Sequence, residues 1–284
     1  MVFSSAKYMS AAGHSTNLGA YRVPEIVAHY ASLDYLTSAE LLLFQTYIVP
    51  GAVLMDLGVG GGRTTPYLSS IASTYVGVDY SEEMIRACRI KYPMLRFEVA
   101  DAADLSAFPT GSFDAIVFSF NGIDNLEPNE KRHQCLRECQ RLLKLGGTLI
   151  FSSHNPRSLI VGWYWDWDRM RTLAHKSSAH NRLLFGLILA GLSCAKLGIA
   201  VFKAAVQSIP RAARRLRTRM FWLGEGYLFD PSHGGLWTHL AKPDRVIAEL
   251  NKFQFTFLQI LPEDHPRTSR GWSTRWYYYA FSKT

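Results

Sequence analysis

Three glycines at alternate positions, Gly58, Gly60 and Gly62, follow the apolar run VLMDL, with Asp56 two residues ahead of the first. Glycines in that place let the backbone turn tightly and approach a ligand with no Cβ between them. Taken alone, such a turn also fits a structural bend or a dinucleotide fold. The spacing is GxGxG, however, and a GxGxxG fingerprint would need glycine where Arg63 or Thr65 stands. An acid at the end of the run suits a ligand that lacks a pyrophosphate and carries an ammonium group. Two more acids close apolar runs, Asp79 in TYVGVDY and Asp101 in RFEVADA, and Ser119 closes a third in FDAIVFSF. Each of these acids on its own reads equally well as a strand-end turn or a helix N-cap.

The elements that would carry these residues alternate. VLMDLG, TYVGVDY, RFEVADA, FDAIVFSF and GGTLIFSSH are five short apolar runs, separated by TTPYLSSIA, SEEMIRACRIKY and EKRHQCLRECQRLL. That order predicts a parallel sheet wound with helices on both faces. Ahead of it, residues 1–20 read as a loose arm, and Pro24–Tyr47 has helical spacing through Ile26, Val27, Tyr30, Leu33, Leu36, Leu41 and Phe44. After His154 the alternation stops, resuming with a helix from Pro243 to Leu250 and two β-rich runs, FQFTFLQI and TRWYYYAFS. The interruption, residues 156–226, is expected to be a helical insert or lid.

The glycine turn and the acids in register with it resemble the class I S-adenosylmethionine-dependent methyltransferases, strongly over residues 20–155 and weakly over 225–284. The resemblance implies a Rossmann-like, doubly wound, mostly parallel seven-stranded sheet over residues 21–284, its last strand antiparallel and the insert between strands five and six. It implies S-adenosylmethionine as cofactor and S-adenosylhomocysteine as product. Cofactor contacts are expected from Asp56, Gly58, Gly60 and Gly62 in the turn. Asp79 would take both ribose hydroxyls, since a carboxylate accepts two bonds, Tyr80 and Met84 would line the site, Asp101 and the Ala102 amide would meet adenine, and Ser119 would complete it. The Asn/Asp-Pro-Pro-aromatic tetrad of the DNA N-methylating enzymes is absent; Phe118-Ser119-Phe120-Asn121 stands in its place.

Acceptors in open parallel sheets bind at the carboxyl ends of the strands, which nominates Asn121 and Asp124 after the fourth run and His154 and Asn155 after the fifth. His154 is the first choice for a general base, because its ordinary pKa is near working pH. His233 and His239, flanking a Gly-Gly turn, are the second. The expected acceptor is a small molecule, such as a sugar, a polyketide or a lipid-linked metabolite, methylated at oxygen or nitrogen. A protein that binds the cofactor without turnover and a nicotinamide or nucleotide-sugar enzyme are the competing readings.

The formal charge is +8, but five arginines fall in the run RAARRLRTR, Arg211 to Arg219, so the basicity is a local patch. It follows an apolar stretch from Leu183 to Phe202 broken by Lys196. Residues 183–219 thus admit a helix lying at a membrane surface, a lid, or a homodimer interface; a nucleic-acid partner is not expected. Cys88, Cys135, Cys139 and Cys194 have no CxxC spacing and read as reduced thiols in helices, with no metal site. The first residues lack the apolar run of a signal peptide, and the expected location is the cytoplasm, with peripheral membrane contact through the patch.

Overall fold

A computed structural model describes residues 21–156, 225–230, 236–266 and 274–284. Five parallel strands appear where the apolar runs predict them: β1 (Ala52–Leu57), β2 (Ala72–Asp79), β3 (Arg96–Val99), β4 (Phe113–Phe118) and β5 (Leu143–His154). Four follow: β6 (Glu225–Asp230), β7 (Leu236–Ala241), β8 (Phe255–Pro262) and β9 (Trp276–Lys283). β9 lies antiparallel between β5 and β8, which gives the body of the sheet the order β3-β2-β1-β4-β5-β9-β8. These are the seven strands expected from the sequence, with the last antiparallel.

Among the described residues the sheet has nine strands rather than seven. β6 and β7 form an antiparallel hairpin whose β7 pairs with β5 at a single position, His154 with Leu240. There β5 exchanges one neighbour for another: its pairing with β4 stops at Phe151 and β7 meets that edge at His154, while β9 holds the other edge from Thr148 to His154. The insert expected over 156–226 therefore ends earlier, because Glu225 and Gly226 already belong to β6. Residues 157–224, with the apolar stretch and the arginine run, lie outside the described residues, as do the arm 1–20 and His233.

Residue alternation along the central strands sorts side chains between two cores. Leu54, Ala115, Val117 and Ile150 pack on one face with Leu43, Phe44 and Ile85; Met55, Leu57, Ile116 and Phe151 pack on the other with Leu136, Leu142, Val246 and Leu250. The helices among the described residues are α1 (Pro24–Ala31), α2 (Ser38–Tyr47), α3 (Thr65–Ile71), α4 (Glu82–Lys91), α5 (Asn129–Leu142) and α6 (Pro243–Asn251). The spacing over Pro24–Tyr47 is split in two: Ser32 caps α1, and Thr37 opens α2 with a reciprocal capping box to Glu40. No helix among the described residues is long and apolar enough to cross a membrane.

Candidate functional site

Asp56, Asp79 and Ser119 stand at or just past the carboxyl ends of their strands, and a cleft of about 960 Å³, measured out to its open mouth, runs across those ends. Its wall includes Asp56, Gly58, Gly60, Asp79, Tyr80, Met84, Asp101, Ala102 and Ser119, all nominated from the sequence. Gly62 is not on it. Its φ is +83°, and a Cβ there would press into Tyr92, Cys88 and Thr65, so it lets the turn close on α3 and α4.

Two buried acids dominate the end of the cleft beneath the glycine turn. Asp56 Oδ2 accepts from Thr64 Oγ1 at 2.6 Å and from the Tyr75 hydroxyl at 2.9 Å, while Oδ1 accepts from no described residue. Burial pushes the Asp56 carboxyl up to about 6 despite those two bonds. Asp79 accepts from the Gly60 amide through Oδ2 and from the Ser81 amide through Oδ1, both at 2.9 Å, which ties the turn to the end of β2. Burial raises it too, to about 6, against the pull of those amides. Asp101 is half exposed and already paired, with the Ala103 amide on Oδ1 and Lys131 Nζ at 2.9 Å on Oδ2. Ser119 Oγ is buried and has no partner among the described residues.

At the other end β4 leaves the sheet through two non-glycine residues in the left-handed region, Phe120 (φ 57°) and Asn121 (φ 61°). Such a backbone is costly and persists only when its surroundings hold it. Here Ser152 Oγ accepts from the Asn121 amide at 2.7 Å, and Arg63 lies over the Phe120 ring, 4.2 Å from its centroid. The turn delivers Asp124, fully buried, to the end of β5. Its Oδ2 accepts from both the backbone amide (2.7 Å) and Nδ1 (2.9 Å) of His154, and its Oδ1 accepts from Ser153 Oγ at 2.8 Å. Burial alone would raise its carboxyl, but the His154 bond and the nearby His239 outweigh it and hold it well below the usual range. With Asp124 ionised, His154 Nδ1 is the donor in that bond, and in the neutral ring Nε2 is the acceptor, 3.3 Å from Asn121 Nδ2.

His154 stands behind the cleft wall rather than on it, with 16% of its side chain exposed. Asn155 is turned away, its amide on the Thr274 carbonyl at 2.9 Å. His239, the second choice for a base, is buried on β7 against Tyr227 and cannot meet a ligand in the cleft.

Among the wall residues that the sequence reading did not nominate, Arg63, Tyr21 and Tyr30 shape the cleft most. Arg63 forms a buried, two-pronged ion pair with Glu40 and also donates to the Tyr35 carbonyl at 2.8 Å, pinning α2 to the glycine turn. Tyr21 accepts from Asn125 Nδ2 at 3.0 Å and closes the mouth together with Tyr30. Behind that rim, α1 passes so near the turn that a Cβ on Gly61 would lie 2.3 Å from the backbone of Tyr30 and Ala31. Only the Glu40 part carried a readable signal, the Thr-x-x-Glu capping box at residues 37–40.

A family described as a methyltransferase domain matches residues 55–151. Over 127 residues the chain is 32% identical to a ubiquinone biosynthesis O-methyltransferase of Xanthomonas oryzae pv. oryzae and 29% identical to one of Xanthomonas campestris pv. campestris. Those alignments cover 43% of this chain, which spans about half, 48%, of the length of each relative. A solved S-adenosylmethionine-dependent methyltransferase from Clostridium acetobutylicum shares the fold, with a TM-score of 0.57 and 13% identity over 89% of this chain and 93% of that one.

Proposed function

Because this chain carries a class I S-adenosylmethionine-dependent methyltransferase domain, we propose that it transfers the methyl group to a hydroxyl oxygen of a small-molecule acceptor, with His154 as the general base. The observation that carries this reading is the line Asp124–His154–Asn121 beside the cleft. A buried carboxylate holds Nδ1 and leaves Nε2 basic, which a nucleophile that keeps its proton at neutral pH needs. The O-methyltransferase names of the relatives point the same way.

The residues at the other end fit the cofactor. Asp79 keeps lone pairs free for the two ribose hydroxyls, Asp56 Oδ1 for the ammonium group, and Ser119 Oγ lacks the partner that a polar ligand would give it. Ala102 and Asp101 would meet adenine, with Lys131 sharing the Asp101 carboxylate. When bound, S-adenosylmethionine supplies a methyl carbon made electrophilic by the adjacent sulfonium. The protein's part would be to hold the acceptor in line and to take its hydroxyl proton on His154 Nε2, while the cofactor, giving up its methyl group to that oxygen, would leave as the neutral thioether S-adenosylhomocysteine. Asn121 Nδ2 occupies the position by Nε2 that the acceptor hydroxyl would take.

The acceptor class we favour is a hydroxylated metabolite, such as a sugar, a polyketide or a lipid-linked compound. The sequence of residues 183–219, apolar and then rich in arginine, supports a lipid-linked one met at an anionic membrane surface. Flotation with anionic liposomes at low salt tests that extension, and absence of binding removes it. The first experiment is calorimetric titration of S-adenosylhomocysteine, with NAD as a control. Micromolar binding is expected for S-adenosylhomocysteine and none for NAD; the reverse preference overturns the reading.

A further inference from the structure

Asp124 faces two histidines, and the reading of His154 as base uses only one. The second, His239, comes from β7 of the added hairpin. It is 2% exposed, its Nδ1 is 3.8 Å from Asp124 Oδ1, and that nitrogen has no hydrogen-bond partner among the described residues. At 3.8 Å the contact is too long for a hydrogen bond and short enough for a strong electrostatic one in so dry a place. The ring is held edge-on to Tyr227, 5.1 Å between centroids, and the Tyr227 hydroxyl donates to the Leu126 carbonyl at 2.9 Å. The hairpin is thus docked onto the short 3₁₀ turn, Gly122–Asn125, that carries Asp124.

We propose that His239 is a positioning residue that sets the basicity of His154 by sharing its carboxylate. Two rings that address one negative charge cannot both draw on it fully. A proton or a polarised N–H on His239 takes up part of the field of Asp124 and makes His154 a weaker base than Asp124 alone would make it. Among the described residues, the other groups around Asp124 are Ser153 of β5, Arg132 of α5 with its partner Glu249 of α6, Tyr227 of β6 and Tyr279 of β9. Arg132 is neutralised by Glu249, and the tyrosines stay protonated because burial raises both, so among these described groups it is His239 that competes with His154 for the carboxylate. The consequence is a link between the hairpin and the proton acceptor: β7 meets β5 at His154 itself, so seating the hairpin brings His239 to the carboxylate and tunes the base in one step.

This inference rests on His154 as base, but its test needs no acceptor. Histidine ring signals are followed by NMR against pH in protein labelled at histidine, with the His154 resonance identified by its loss in His154→Gln. In His239→Leu the His154 pKa should rise by at least about half a unit, roughly threefold in proton affinity, with a smaller rise in His239→Gln, which keeps a neutral donor. Asp124→Asn should lower it. An unmoved His154 curve in His239→Leu, beside a lowered one in Asp124→Asn, overturns the role of His239 and leaves the base assignment standing. If the hairpin variants do not fold, the wild type decides: linked rings each show both inflections, whereas two independent single-site curves sink the proposal.

Discussion

The two ends of the cleft treat buried acids in opposite ways. Under the glycine turn, Asp56 and Asp79 are raised to about 6 because burial outweighs the few bonds they accept. At the β4–β5 end, Asp124 is just as buried and held well below the usual range, because the His154 bond and the nearby His239 outweigh burial, and its other oxygen accepts from Ser153. Carboxylates left short of donors are built to receive them from a ligand. A carboxylate fully provided for by the protein is built to aim something else, here a histidine ring.

The largest effect that would break this contrast is on binding. Asp79→Ala should weaken S-adenosylhomocysteine by about 100-fold or more, since it removes a charged acceptor and frees Gly60, whereas Asp124→Asn should leave calorimetric affinity nearly unchanged. Equal losses in both variants would mean the ends are not separate. Once an acceptor is in hand, His154→Gln should cut kcat by about 10²- to 10⁴-fold with little change in cofactor KM, read by steady-state kinetics. Next comes the bridge between the ends, Arg63, which is paired with Glu40 beneath the turn and lies over Phe120 beyond it. Glu40→Gln strands a buried guanidinium and should cost about 3–5 kcal/mol of stability in denaturant titration. A cost under about 1 kcal/mol, the range of an exposed pair, would show that the bridge is not a buried one.

The smallest effect is on pH dependence. Asp79 holds its proton to about pH 6 when folded, against an ordinary value of 3.8, so its contribution to the stability of the ligand-free protein is full below pH 4 and lost as the pH rises through 6. Affinity for S-adenosylhomocysteine should move the other way over that window, rising as the carboxylate ionises. Thermal melts and calorimetry on wild type and Asp79→Asn isolate this contribution. Parallel rather than opposed trends would undo the idea that the acid waits for its ligand.

What could be read from the sequence follows the range of the interactions. β1 to β5 and the acids at their ends were legible because alternation, turn chemistry and spacing are local. The break between α1 and α2 was also written locally, in the Thr37–Glu40 capping box, but the helical spacing that runs through it hides it. The Arg63–Glu40 pair was not legible, because nothing near Arg63 shows that a residue 23 positions earlier folds back onto it. The role of Asp124 was hidden in the same way, since its partners arrive from β5 and β7. The β6–β7 hairpin escaped because its two strands are short and separated from the main alternation by the long insert.

The exchange of neighbours along β5 also sets a timetable. Its outer edge from Thr148 to His154 is paired with β9 and its last residue also with β7, and both strands are made long after β5 has left the ribosome. At ordinary rates of synthesis the interval is on the order of 10 s. Throughout it, a strand destined for the middle of the sheet is an open edge, able to pair with another nascent chain. The surroundings of His154 are completed last, well after the strands and turn that line the cleft.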